Sequence, residues 1–148
     1  MQSALDAADV ECRVVELPGS TRTAEAAAKA IGCEVAQIAK SIVFRGAESG
    51  EPYLVIASGV NRIDEAAVGR EVGEDVSMAS PDFVRGATGY AIGGVPPVGH
   101  VRALTTLIDR DLCALETLWA AAGTPRAVFR LTPAELLRLT GERLVTVA

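Results

Sequence analysis

QIAKSIVFRGAESGEPYLVIAS, residues 37–58, holds two runs of β-branched, aromatic and apolar residues, 41–44 and 53–58, separated by the polar, glycine-containing segment 45–51. Runs of this kind, bounded by turn residues, predict two strands joined as a hairpin, because branched and aromatic side chains pack well on a pleated surface. A hairpin imposes antiparallel pairing on neighbouring strands. The flanking sequence interleaves helices and further strands without a regular strand–helix repeat, so a doubly wound parallel sheet is not expected. The expected class is α/β or α+β, on a mixed, curved sheet.

On the N-terminal side, residues 12–17 alternate and are rich in Val, which predicts a first strand ending at the Pro18-Gly19 turn. Thr23 can cap a helix over residues 24–31, with Glu25 in its first turn and Gly32 as its stop. A second short helical stretch, residues 35–39, leads into Lys40. That would put Lys40 at a helix C-terminus, where the dipole favours a cation by about 0.3–1 kcal/mol.

On the C-terminal side, Asn61 and Asp64 precede a helix that begins at Glu65 and ends near Gly73, and Ser80-Pro81 starts another that ends near Gly86 or Gly89. Residues 93–99 hold three glycines and two adjacent prolines, which neither a helix nor a central strand tolerates. They must form a constrained loop. Residues 103–108 and 127–131 read as strands, and 112–122 as an apolar connection that is partly helical. Thr132-Pro133-Ala134-Glu135 carries a capping box with proline at the first helical position, its helix stops at Gly141, and residues 144–147 form a last strand.

With 148 residues the chain reads as a single domain, 1–148, without repeats or a linker. Its apolar runs fall far short of the roughly 20 residues that cross a bilayer, and Met1 is followed by Asp6 and Asp9 rather than a basic start, which argues against a signal peptide. A cytoplasmic protein is expected. Cys12, Cys33 and Cys113 are widely spaced, with no CxxC, and His100 is the only histidine, so neither a disulfide framework nor a metal site is expected. The net charge of −5 gives no overall attraction for phosphate, so any RNA contact is small or local. Only Lys29 and Lys40 are lysines among 14 basic residues, a hint that a compact ammonium is wanted where one is kept. No GxSxG, P-loop or HExxH is present.

Four segments, QIAKSIVF (37–44), ASGVNRID (57–64), GYAIGGVPPVGH (89–100) and AAGTPRAVFRLTPAELLRLTG (121–141), resemble in order and spacing the YbaK/EbsC (ProXp-type) family of stand-alone aminoacyl-tRNA deacylases. That family is related to the editing domain inserted in some bacterial prolyl-tRNA synthetases. The resemblance implies a barrel-like mixed sheet with flanking helices. It also implies trans-editing: hydrolysis of the ester between a small amino acid such as Ser, Thr, Ala or Cys and the 3′ end of tRNA, often tRNA(Pro). No cofactor or metal is implied, because an aminoacyl ester is already activated.

Residue by residue, the resemblance makes Lys40 essential and gives the loop from Gly93 and Gly94 through Val95, Pro96 and Pro97 to Gly99 the task of holding the ester with its backbone. His100 and Asp109 are carried over as substrate-binding, and Ser41, Ser58 and Met78 are candidates for the pocket wall. Arg45, Arg62, Arg85 and Arg102 flank these segments and could form a basic rim for the acceptor end. Three roles stay open for Lys40: stabilising the oxyanion, anchoring the terminal phosphate, or taking a proton from water. The expected partners are aminoacyl-tRNA and, given the acidic charge, a synthetase such as prolyl-tRNA synthetase. A non-catalytic module that binds a nucleotide or the tRNA end is the competing reading.

Overall fold

In the computed structural model, which describes residues 14–17, 23–101, 104–124, 126–141 and 143–147, strand β1 (Val14–Glu16) is followed by helix α1 (Ala24–Ile31), a 3₁₀ turn at Val35–Gln37, and strands β2 (Ile38–Gly46) and β3 (Pro52–Ser58). Helix α2 (Glu65–Val72), β4 (Val76–Met78) and α3 (Pro81–Thr88) come next. Then follow β5 (Thr105–Asp109), a 3₁₀ segment Arg110–Ala114, β6 (Leu118–Ala121), β7 (Ala127–Leu131), α4 (Pro133–Thr140) and β8 (Leu144–Val145).

The local signals act as their chemistry requires. Thr23, Asp64, Ser80 and Thr132 each accept a hydrogen bond from a first-turn N–H of the helix they precede, and Glu135 completes the capping box. Of the two stops the sequence allowed for α3, Gly89 is the one used, at φ 84°.

The strands form one mixed sheet in the order β1-β7-β6-β2-β3-β5-β8, with β4 attached to β2. The expected hairpin is its centre: β2 and β3 run antiparallel, from Ala39 opposite Ser58 to Arg45 opposite Pro52. β6 joins β2 in parallel, and β5 joins β3 in parallel. Side chains on these strands divide by parity. Ala39, Val43, Leu54, Ile56 and Ile108 enter one core with Val84, Phe129 and Leu136, whereas Phe44, Val55, Ala57 and Leu107 enter a second with Val68, Val76 and Val145. α3 and α4 therefore cover one face of the sheet and α2 the other. Burial on both faces explains why β3 reads as a continuous apolar run.

Three expectations are corrected. The helical stretch over 35–39 is only the turn Val35–Gln37; Ile38 and Ala39 already pair with Trp119 and Ala120 of β6. Lys40 is thus inside a strand, opposite Ala57, and not at a helix end. Within 112–122 the partly helical reading is met by the 3₁₀ segment up to Ala114, but Leu118–Ala121 is a strand and not a connection, because Leu118 and Ala120 are buried between β2 and β7 while Trp119 and Ala121 alternate with them. β4 went unread, being three residues held by pairing with Phe44, Arg45 and Gly46. The Pro18-Gly19 turn and Cys12 lie outside the described residues.

The tip of the central hairpin is clasped by Glu74. Its carboxylate accepts from the N–H groups of Glu48 and Ser49, the Ser49 hydroxyl and the Tyr53 hydroxyl, at 2.6 to 2.9 Å. The Ser49 hydroxyl and N–H and then Tyr53 lower its pKa from 4.5 to about 2. A carboxyl whose folded pKa is depressed contributes stability that is present above the unfolded value and lost as pH falls through the folded one. Stability measured by chemical denaturation should therefore fall between pH 4.5 and about 2, and Glu74→Gln should flatten that part of the profile. An unchanged slope in the variant would show that other carboxyls account for it.

Candidate active site

β2 is covered unevenly. One edge pairs with β3 over its whole middle, but the other meets β6 only at Ile38 and Ala39 and β4 only from Phe44 to Gly46. The Ala79 N–H reaches the Val43 carbonyl. Among the described residues no strand pairs with that edge at residues 40–42. There a cavity of about 390 Å³ opens, lined by Lys40, Ser41, Ile42 and Val43. Its other walls are mostly apolar. Trp119, Ala120, Ala127 and Val128 come from β6 and β7, Met78, Ala79 and Val84 from the β4–α3 region, and Ile92, Gly93 and Val95 from the glycine-proline loop. Thr23, Ala24, Glu25 and Ala27 bring in the first turn of α1.

The Lys40 side chain is fixed at its tip: Nζ donates to the main-chain carbonyl of Asn61. Ser41 Oγ is buried and has no hydrogen-bond partner among the described residues. Met78 is 66% exposed, so it is not a core methionine but part of the cavity's outer wall.

The loop that brings Gly93 to this wall is held at several points. Gly93 sits at φ 88°, a conformation that glycine adopts without strain. The Gly94 carbonyl accepts the Gly123 N–H at 3.0 Å, and the Gly94 N–H donates to Ala91. A Cβ on Gly94 would lie 2.8–3.0 Å from the backbone of Thr124, so the glycine is required by the close approach of the β6–β7 turn. Farther on, the Tyr90 hydroxyl donates to the Gly99 carbonyl, and His100 Nε2 lies 2.6 Å from the Pro96 carbonyl. A carbonyl only accepts, so the ring nitrogen is the donor there. Burial pushes the His100 imidazole below its ordinary 6.5, with the Pro96 bond acting the other way. No hydrogen bond among the described residues engages the N–H of Gly93 or of Val95.

The fold thus gathers Lys40, Ser41, Met78, Gly93 and Val95 around one cavity. Gly94, Pro96, Pro97, Gly99 and His100 belong to the same loop but are not among the cavity's lining residues. Two expected pocket residues are instead engaged elsewhere. The Ser58 hydroxyl donates to the Ala36 carbonyl. Asp109, 1% exposed, accepts from the N–H groups of Ser58 and Asp111 and from Asn61 Nδ2. Neither residue lines the cavity. Arg45 is exposed and holds its guanidinium 4.7 Å from the centre of the Phe83 ring. Arg62 is exposed beside Asn61, and Arg102 lies outside the described residues. Glu25 and Trp119 line the cavity without having been expected there, since they carried only a cap and an apolar signal; Asn61, which holds the Lys40 nitrogen, carried a helix-entry signal and its place in the 57–64 segment.

Replacing Gly94 by Ala should lower stability by about 1–3 kcal/mol in denaturant melts, the usual range for overpacking a filled site. An undiminished melt would mean that the two loops are free to separate.

Comparison with known proteins finds the same fold and related sequences. Residues 19–139 match the aminoacyl-tRNA editing domain. A crystal structure described as a candidate trans-editing enzyme for prolyl-tRNA synthetase superposes with a TM-score of 0.92 at 52% identity, covering 99% of this chain and 92% of that one. YwhH, an uncharacterized protein of Bacillus subtilis (strain 168), is 37% identical over 83% of this chain and 78% of its own. EbsC of Enterococcus faecalis (strain ATCC 700802 / V583), named as a candidate Cys-tRNA(Pro)/Cys-tRNA(Cys) deacylase, is 25% identical over 84% of this chain and 76% of its own.

Proposed function

Since the chain belongs to the aminoacyl-tRNA editing domain family, and is on that ground an aminoacyl-tRNA deacylase, we propose that Lys40 and the loop of residues 93–99 carry the hydrolysis of the aminoacyl ester. The observation that supports this most is that Lys40, Gly93 and Val95 line one cavity. Attack of water on an ester places negative charge on the carbonyl oxygen. One well-aimed N–H typically stabilises that state by about 2.7–4 kcal/mol. The N–H groups of Gly93 and Val95 are not engaged among the described residues, and the Lys40 ammonium keeps two of its three hydrogens beside the one given to Asn61. Donors held in place beforehand need no rearrangement as charge develops.

The wall also carries one carboxylate among its described lining residues, Glu25. An aminoacyl ester has an α-ammonium as well as a developing oxyanion, and a wall with one charge of each sign suits that pair. The family membership points to a small amino acid, Ser, Thr, Ala or Cys, and the apolar walls Ala39, Ala79, Ala120 and Ala127 offer its side chain no charged partner. Such a pocket separates one methyl or hydroxyl only about 10- to 200-fold, so several of these should be accepted. In this reading tRNA meets the protein through its acceptor end, with Arg62 on the exposed side of the Asn61 turn, in the cytoplasm, where charged tRNA is made. A synthetase such as prolyl-tRNA synthetase would supply further tRNA affinity that a chain of net charge −5 lacks.

Wild type and Lys40→Ala should be compared on Ser-, Thr-, Ala- and Cys-tRNA, carried on tRNA(Pro) and on their own tRNAs. Release of one or more amino acids by the wild type, reduced at least about 100-fold in a folded Lys40→Ala protein, is the expected result. No release from any species, with synthetase added as well, would instead support a module that binds without turnover. Arg62→Glu should raise KM for the responsive tRNA and leave the melting temperature unchanged; identical kinetics would remove Arg62 from the tRNA path.

A further inference from the structure

We infer that Asn61 is a positioning residue: braced by Asp109 and Asp111, it sets the place of the Lys40 ammonium at the cavity wall. The inference rests on the deacylase reading, in which Lys40 is the cation of the site. Lysine is a point charge on a flexible four-carbon stem, so a strand position by itself does not define where its nitrogen lies. Here the nitrogen is tied to the Asn61 carbonyl. That carbonyl belongs to the turn that follows β3, where the Asn61 N–H donates to Ser58 at 2.9 Å.

The turn is held in place by its own side chain. Asn61 Nδ2 donates to Asp109 Oδ2 at 2.7 Å and to Asp111 Oδ2 at 2.8 Å. The amide has two hydrogens and serves two carboxylates, which is also the only orientation that sets a donor against both acceptors. Asp109 is itself fixed: Oδ2 accepts the Ser58 N–H and Oδ1 the Asp111 N–H, both at 3.0 Å. A chain of hydrogen bonds therefore runs from the buried end of β5, through the Asn61 side chain and main chain, to the Lys40 nitrogen on β2. Ala at 61 would keep the carbonyl but release the turn and leave two carboxylates without their shared donor. Asp at 61 would put a third carboxylate against them.

A double-mutant cycle in the full chain tests this, using the mischarged tRNA to which the wild type responds. Asn61→Ala should lower kcat about 10- to 100-fold with KM little changed, as expected for a displaced catalytic group. In a Lys40→Ala background it should lower kcat no further. Asn61→Ser, which keeps one donor, should retain more activity than Asn61→Ala and carries the same cycle if the alanine variant does not fold. Equal losses in both backgrounds, or an unchanged kcat in a folded variant, would overturn the proposal.

Side-chain NMR of Lys40 reads its position without turnover, and with only Lys29 as the other lysine the signal is readily assigned. The Lys40 ammonium should be ordered in the wild type, motionally averaged in Asn61→Ala and less ordered than wild type in Asn61→Ser. Unchanged order in a folded variant would also overturn the inference. If the wild type hydrolyses no tRNA, the deacylase reading fails while the NMR result still decides the role of Asn61.

Discussion

The site depends on the incomplete pairing of β2. A strand buried in the middle of a sheet normally has both edges taken up by neighbours, because unpaired backbone polar groups are costly away from water. β2 is paired with β3 along one edge, but its other edge is shared between β6 at one end and β4 at the other, and they do not meet. The interval between them is where Lys40 and Ser41 lie and where the cavity opens. β6 and β7 then form one wall, and α3 with the segment before it another. The first turn of α1 and the loop after α3 complete the enclosure.

The loop's composition follows from the same arrangement. To reach the β2 gap it must pass against the β6–β7 turn, where its main chain approaches Thr124 too closely for any side chain at Gly94. Gly93 turns at positive φ, and the Pro96 carbonyl is tied to His100. The result is a segment whose Ile92, Gly93 and Val95 line the cavity while Gly94 and Pro96 are tied to the β6–β7 turn and to His100. In the proposed role of this loop such tethering is an advantage, since donors fixed beforehand stabilise a developing charge without reorganising at the moment of reaction.

Charge is distributed with the same economy. An overall charge of −5 offers no general hold on a polyanion. Near the cavity the lone lysine of β2 is anchored at a turn whose far side is gripped by two carboxylates. Asp109, expected in the pocket, sits behind it as part of that grip. A short-range electrostatic site of this sort acts on the group placed within it rather than on tRNA at large.

Most of the secondary structure was legible because its signals are local. The caps at Thr23, Asp64, Ser80 and Thr132 depend on residues within one turn, and the central hairpin on two apolar runs and the polar segment between them. Elements stabilised by distant partners were not. β6 is four residues that become a strand only between β2 and β7, β4 is three residues held by β2, and Ile38 and Ala39 join β2 because β6 lies beside them. The sequence by itself determined the mixed class, the four capped helices, the constrained glycine-proline loop and, through resemblance, the expectation that Lys40 matters. Only the tertiary structure decided that the loop and Lys40 share a cavity, that Glu25 lines it, and that Asp109 and Ser58 do not. Which groups meet across a sheet is set by strand order, register and the positions of orphaned edges, and these are properties of contacts between residues far apart in the chain.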